Sequence, residues 1–225
     1  KVDFRVTQKP IGKSGKFIEA YNHSITLDIR NLRALKQILI NLKLHPKAIV
    51  HDSYCLAHAL LTESDRKEGA IILDLGMEFS KAHVMVNEQI TNSQYIPLGQ
   101  SHIIKDIATC LNTSLEEARR LLTKYGNIDL SNCNSKDNIE VQSFNKKRLI
   151  KYRLLCQIIE SRLNETLKLL FNKCQNSIHS SPKIVITGSG QNIKGLQNFI
   201  SKKWCKNIEF DRNSSKQNSM NIQYS

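Results

Sequence analysis

Ala70-Ile71-Ile72-Leu73-Asp74-Leu75-Gly76 is the stretch on which the fold turns. Six residues with a single polar member, closed by glycine, read as a strand buried on both faces. Ala82–Val86 predicts a second strand, Asn87-Glu88 the turn, and Gln89–Ile96 a third. The first strand of this meander ends on an acid. A carboxylate there can hold water on Mg²⁺, and a glycine-rich turn lets backbone N–H groups approach a phosphate. By itself Asp-x-Gly after a strand is also an ordinary turn.

Downstream, Lys183–Ile186 predicts a buried strand leading into Thr187-Gly188-Ser189-Gly190 and a helix through Gly195–Lys202. Small residues at such a turn admit a nucleotide, and the helix N-terminus favours negative charge. The same glycines also serve close packing. Between the two motifs the pattern predicts helices over Ser101–Leu111 and Leu115–Tyr125, the latter capped by Thr113. A polar loop over 127–145 and a long amphipathic helix over Lys146–Ser177 follow. Upstream, residues 1–28 read as strands, with Val2, Phe4 and Val6 alternating before the turn Lys9–Gly15. Asp28 caps a helix carrying Leu32, Leu35, Ile38, Leu39 and Leu42. Ala48–Val50 reads as a short strand, Tyr54–Leu61 as a helix, and Lys67-Glu68-Gly69 as a break.

The rest of the composition mainly excludes. A chain of 225 residues buries roughly 70–75% of its unfolded surface and needs neither disulfide nor metal to fold. Its six cysteines are scattered without a C-x-x-C pair, and its seven histidines form no H-x-x-x-H pair on a clear helix, against a zinc site or a secreted disulfide framework. His83 and His102 read as structural. No apolar run approaches the roughly 18 residues of a membrane span, and the chain reads as soluble and cytoplasmic. It opens on Lys-Val-Asp rather than Met, which predicts a piece of a longer protein. G-x-S-x-G and G-x-x-x-x-G-K-[ST] are absent. The net charge of +13 is spread along the chain, and aromatics make up 6%, so an RNA-binding pattern is absent. The densest basic run is Lys146-Lys147-Arg148 with Lys151 and Arg153.

Meander, helical insertion, strand, TGxG and helix, in that order, resemble one half of the actin/Hsp70 ATPase (ribonuclease H-like) α/β fold. Within that superfamily the chain most resembles the FtsA cell-division family. Val2-Asp3-Phe4 with Pro10-Ile11-Gly12-Lys13-Ser14-Gly15 is similar to that family's nPiGlsG turn. Leu61–Gly69 is similar to its LTedErelG, Ile96-Pro97-Leu98-Gly99 with Lys105-Asp106-Ile107-Ala108 to IPlGG and tkDIA. Lys124-Tyr125-Gly126 matches the end of the next helix, Ile158–Leu163 resembles iIepRl, and Val185–Leu196 resembles vvLTGGgsqikGl.

The resemblance implies one complete domain 2 plus part of domain 1. Residues 1–27 would end subdomain 1C and 28–69 would close 1A. Residues 70–113 and 181–225 would make 2A, and 114–180 would make 2B. It also implies a cytoskeletal adaptor at the cytoplasmic face of the inner membrane at the division site. The adaptor binds the tubulin homologue FtsZ, self-associates and contacts the membrane; the polar stretch Asn213–Ser225 has no targeting helix. Nucleotide-binding positions carry over to Asp74, Gly76, Ser80, Gly188, Ser189 and Gly190, with ATP and Mg²⁺ as the implied cofactors and no catalytic residue. Lys147, Arg148 and Lys151 in 2B are the candidate partner-binding residues.

The departures are specific. The family's D-I-G-G-G-T-T-D stands here as Asp74-Leu75-Gly76-Met77-Glu78-Phe79-Ser80-Lys81. Met77 is expected to crowd the backbone approach and Glu78 to repel a triphosphate. In the family's AE-x-x-K pattern, Arg119 and Leu122 replace the ribose and adenine partners. Hydrogen bonds to charged groups contribute roughly 1.5–3 kcal/mol each, so losing two weakens nucleotide binding by about 10²- to 10⁴-fold. The expectation is a degenerate site with little or no ATP turnover. An active actin-family ATPase, an FtsA-like pilus-assembly protein and, last, a nucleic-acid binder are the alternatives.

Overall fold

A computed structural model describes residues 1–5, 7, 11–20, 24, 26, 28–130, 137–143, 146–174, 182–204 and 207–211. Val6, Pro10, Cys133, Cys205, the end of the expected long helix at 175–177 and the polar stretch Asn213–Ser225 lie outside them. The chain forms two compact units, Lys1–His51 and Asp52–Ser225.

The first unit holds helix α1 (Ile29–Asn41), whose N-terminus is capped by the Asp28 carboxylate accepting from Arg30 N. No α1 residue is buried. Of the strands expected over 1–28, the described residues form only isolated bridges, Val2 with Arg5 and with Ile18. Asp3 Oδ1 accepts from Lys16 N and Phe17 N, and Phe4 stacks on Phe17. Ala48–Val50 is not a strand. Ile49 and Val50 are exposed, and apolar alternation makes a strand only beside a ladder partner.

The second unit is built on a five-stranded sheet. Its strands are β1 (Ala70–Leu75), β2 (Ser80–Val86), β3 (Gln89–Ile96), β6 (Lys183–Thr187) and β7 (Ile208–Phe210), in the order β3-β2-β1-β6-β7. β1 runs antiparallel to β2 and parallel to β6. Asn87 and Glu88 join β2 to β3 with φ of 50° and 63°, the left-handed pair that a two-residue hairpin requires.

Both faces of β1 are covered, which is why it reads as an unbroken apolar run. Ile71, Leu73 and Leu75 face a core with α4 (Gln100–Cys110), α5 (Leu115–Tyr125) and α6 (Tyr152–Cys174). Ala70 and Ile72 face the other way, with Met85, Ile90 and Val185, onto Ala57 and Leu61 of the α2 segment (α2, Asp52–Leu60). After α2 comes α3 (Glu63–Glu68). It starts on a reciprocal capping box: Thr62 Oγ1 accepts from Asp65 N, and Asp65 Oδ2 accepts from Thr62 N. The T-x-x-D spacing is the signal for this helix, and its last two residues, Lys67 and Glu68, fall in the Lys67–Gly69 stretch expected to be a break.

Three expectations are corrected. Ser114, not Thr113, caps α5 by accepting from Glu117 N, while the Thr113 hydroxyl donates to Gln142 O. The expected loop 127–145 contains a strand, β4 (Asn138–Ser143), and the expected helix start is another, β5 (Lys146–Lys151). These pair antiparallel, and Tyr152 N closes the hairpin on Asp137 O at 2.9 Å. The period-2 pattern of Ile139 and Val141 is masked in sequence by its polar neighbours; both are buried. The register sets Val141 opposite Arg148 and Ile139 opposite Ile150, on the inner face. Lys147, Leu149 and Lys151 share the outer face with Gln142, Glu140 and Asn138.

The three candidate basic residues are therefore split. Arg148 Nη2 donates to Leu111 O, at the C-terminal end of α4, where a cation meets the negative end of the helix dipole. Lys147 pairs with Glu140 at 2.8 Å on an exposed face. Accordingly, Arg148→Ala should lower stability in urea unfolding by about 1–2 kcal/mol, while Lys147→Ala leaves the midpoint unchanged.

Candidate functional site

Asp74, the last residue but one of β1, is set by the register beside Lys81 of β2 and Thr187 of β6. The two glycine-bearing turns are thus neighbours. Gly188 has φ of +85°, and a Cβ there would sit 2.6 Å from both Asp74 Oδ1 and Leu75 O. Glycine is required on both counts, conformation and contact. A Cβ on Gly190 would likewise lie 2.8 Å from Leu75 Cβ. These glycines are demanded by the fit of the β6 turn against the end of β1, independently of any ligand.

The loop 76–79 is closed by Gly76 N donating to Phe79 O at 3.0 Å. Its carbonyls then cap α4: Gln100 N donates to Gly76 O and Ser101 N to Met77 O. Gly99 lets the chains approach, since a Cβ there would meet Met77 O at 2.4 Å. Glu78 accepts from Ser101 Oγ at 2.9 Å, so its charge rests by the N-terminus of α4, where the dipole favours it. Ser80 is buried, and its hydroxyl donates to Leu98 O at 2.6 Å. Phe79 packs against Tyr95 with ring centroids 5.5 Å apart.

Beside this loop lies a cleft of about 490 Å³ lined by Met77, Gln100, Ile104, Arg119, Leu122, Thr123 and Ser189–Ile193 without Gly190 and Gln191, a size usual for small-molecule sites (roughly 300–1,000 Å³). The structure here brings together Met77 and Ser189 from the two turns and Arg119 and Leu122 from α5, residues far apart in sequence. Arg119 and the hydroxyl and amide groups of Ser189, Thr123 and Gln100 suit an anionic or strongly polar ligand. Asp74, Gly76, Ser80, Gly188 and Gly190 do not line this cleft, nor do Lys147, Arg148 and Lys151, which are on the β4–β5 hairpin.

Lys81 is the residue whose role sequence left unassigned. It shares the α2-facing side of the sheet with Asp74 and His83, by the alternation that places Ala70 and Ile72 there. Its ammonium lies 2.5 Å from Asp52 Oδ2, in the first turn of α2, and 3.8 Å from Asp74 Oδ2. His83 is buried beneath, with Nε2 4.0 Å from Asp52 Oδ1 and Nδ1 3.0 Å from Ser93 Oγ. The hydrogen bond to Asp52 holds the Lys81 ammonium above its ordinary pKa. Burial pushes the Asp74 carboxyl up; Lys81 opposes this and Asp52 adds to it.

The donor set does not fit Mg²⁺. The Asp74 carboxylate already faces the Lys81 ammonium at 3.8 Å, and among the described residues no group of three or more acidic, histidine or cysteine side chains is placed to hold a metal on its own. Unit charges of like sign 4 Å apart repel by about 4 kcal/mol at an effective dielectric near 20, and a divalent ion doubles that. Nor is any helix of the described residues long and apolar enough to cross a membrane.

The family model described as cell division protein FtsA matches residues 71–223. Curated cell division proteins FtsA are similar across most of the chain. That of Helicobacter pylori strain 26695 is 24% identical over 205 residues, 87% of this chain and 42% of the relative. That of Buchnera aphidicola subsp. Schizaphis graminum is 27% identical over 214 residues, 89% and 51%. The chain thus spans about half the length of these relatives. Among solved structures, MreB5 of Spiroplasma citri bound to ADP superposes with a TM-score of 0.71 at 14% identity, covering 84% of this chain and 62% of the other. The PilM–PilN type IV pilus biogenesis complex gives 0.59 at 16% identity, covering 80% and 47%. Such likeness shows the actin-like fold expected from the sequence.

The raised Asp74 pKa has a definite sign. Between the ordinary value of 3.8 and the raised folded value, the folded chain binds the proton that the unfolded chain has lost. Stability therefore falls as pH rises through that window and stays lower above it. Asp74→Asn should abolish this part of the pH dependence and melt no lower than the parent near neutral pH, as followed by thermal unfolding at a series of pH values.

Proposed function

The chain belongs to the FtsA cell-division family, and on that premise we propose that it acts as a division-site adaptor rather than an ATPase. Residues 70–113 and 181–225 serve as subdomain 2A and 114–180 as 2B, with 1–27 and 28–69 from the preceding domain. In this reading 2B takes the tail of the FtsZ polymer. The protein self-associates and works within the divisome, at the cytoplasmic face of the inner membrane at the septum.

The observation that carries the reading is the family match over 71–223. The altered phosphate loop, with Met77 in the cleft wall, supports a degenerate nucleotide site. A nucleotide remains plausible, since the solved neighbour MreB5 carries ADP, and Arg119 and Ser189 are the groups that would hold its phosphates. The Lys81 ammonium, 3.8 Å from Asp74 where a divalent ion would approach, supports a site with little or no turnover. The likeness to PilM rests on fold alone, so the pilus-assembly reading gains nothing from it.

For the tail of FtsZ, acidic with a few apolar anchors, the outer face of the β4–β5 hairpin offers basic and apolar groups. Leu149 is 69% exposed there, between Lys147 and Lys151. Arg148, turned inward to Leu111 O, is left out of that surface. Lys147→Glu with Lys151→Glu should weaken binding of an FtsZ tail peptide by about ten-fold or more, chiefly in association rate and strongly at low salt. Unchanged affinity in fluorescence anisotropy would remove this surface from the account.

A further inference from the structure

At the end of β1 a positive charge is built into the chain. The geometry points to Lys81 as an internal cation that takes the place of a divalent ion at the phosphate loop, so that any phosphate ligand bound there is bound without metal. The inference deepens the reading of a degenerate nucleotide site and rests on it.

Three observations converge. First, the Asp74 carboxylate is walled in. Gly188 backbone lies against its Oδ1, so close that a Cβ would stand at 2.6 Å, and the Lys81 ammonium lies 3.8 Å from Oδ2. The approach of a hydrated ion to this carboxylate is met by Lys81. Second, the ammonium is held by more than Asp74. Asp52 accepts its hydrogen bond at 2.5 Å, and the side chain is only 30% exposed. A lysine anchored at both carboxylates does not swing out of the way as a surface lysine does. Third, the position is fixed by register. Residue 81 pairs with Asp74 in the ladder, so it shares the Asp74 face of the sheet whatever its side chain. An acid at this position would add a third carboxylate to Asp52 and Asp74; a lysine instead places one positive charge beside both.

The arrangement has a structural consequence as well as a ligand one. Divalent ions are commonly held by one or two carboxylates together with the phosphates they bridge, so they leave with the ligand. Lys81 does not leave. The link from β2 to the first turn of α2 therefore does not depend on a bound ion.

The test uses the full chain and Mn²⁺ as the probe. In metal-free buffer Lys81→Ala should melt several degrees lower than the parent, because Asp52 and Asp74 then face each other without a cation. About 5 mM Mn²⁺ should recover a large part of that loss by binding the folded state, and should leave the parent unmoved. Adding Asp74→Asn to Lys81→Ala should remove the Mn²⁺ response. A merely structural lysine would not be rescued by a metal, so a variant that responds to Mn²⁺ no more than the parent overturns the inference. So does a parent chain that binds Mn²⁺ in electron paramagnetic resonance and loses it in Asp74→Asn. That second measurement needs only the parent and Asp74→Asn, and it decides the matter even where Lys81→Ala does not fold. Both are independent of the hairpin, so failure of FtsZ-tail binding leaves them interpretable.

Discussion

A carboxylate at the end of a strand buried on both faces has to be matched by a positive charge, and much of the second unit is arranged around that requirement. Asp74 lies one residue from the end of β1, a strand between two apolar cores. An unmatched charge in such a place is costly. Where an acid sits at a phosphate loop, a bound ion and its ligand can supply the match; here Lys81 supplies it from within the chain. Because Lys81 is also held by Asp52, the neutralising group ties β2 to α2. The helix that covers one face of the sheet is thereby tied at its first turn to the second residue of β2.

The other departures from the family pattern fit the same arrangement. Glu78 gives its charge to the start of α4 through Ser101, and the loop carbonyls of Gly76 and Met77 take two N–H groups of that helix. These substitutions make the loop a brace between β1, β2 and α4. Met77, Arg119 and Leu122 line the adjoining cleft. The scaffold motifs persist beside them, because Gly188 and Gly99 are demanded by backbone contacts that exist without a ligand.

How much of this was legible in the sequence depended on where the determining contact lies. The meander, the TGxG turn, α4, α5, the body of α6 and the helix after the TGxG turn (α7, Leu196–Lys203) follow from local patterns, continuous burial and helical spacing, and the family resemblance supplied their order. The β4–β5 hairpin was missed because a strand half covered and half solvated reads as polar, and because Lys146–Lys151 has no periodicity that separates strand from helix. α3 was missed although its capping box is written in Thr62 and Asp65. At the candidate site, Met77, Arg119 and Leu122 were found by comparison with the motif, and the structure gathers them into one cleft. The destination of Glu78 and the role of Lys81 depend on Ser101 and Asp52, 23 and 29 residues away, so no local reading reaches them.

The central claim is that the phosphate loop has become a structural brace in a cell-division scaffold. Calorimetric titration of the full chain with ATP, with and without Mg²⁺, tests it most directly. The account predicts a dissociation constant at or above about 1 mM, the same in both conditions. Micromolar binding that requires Mg²⁺ would contradict it.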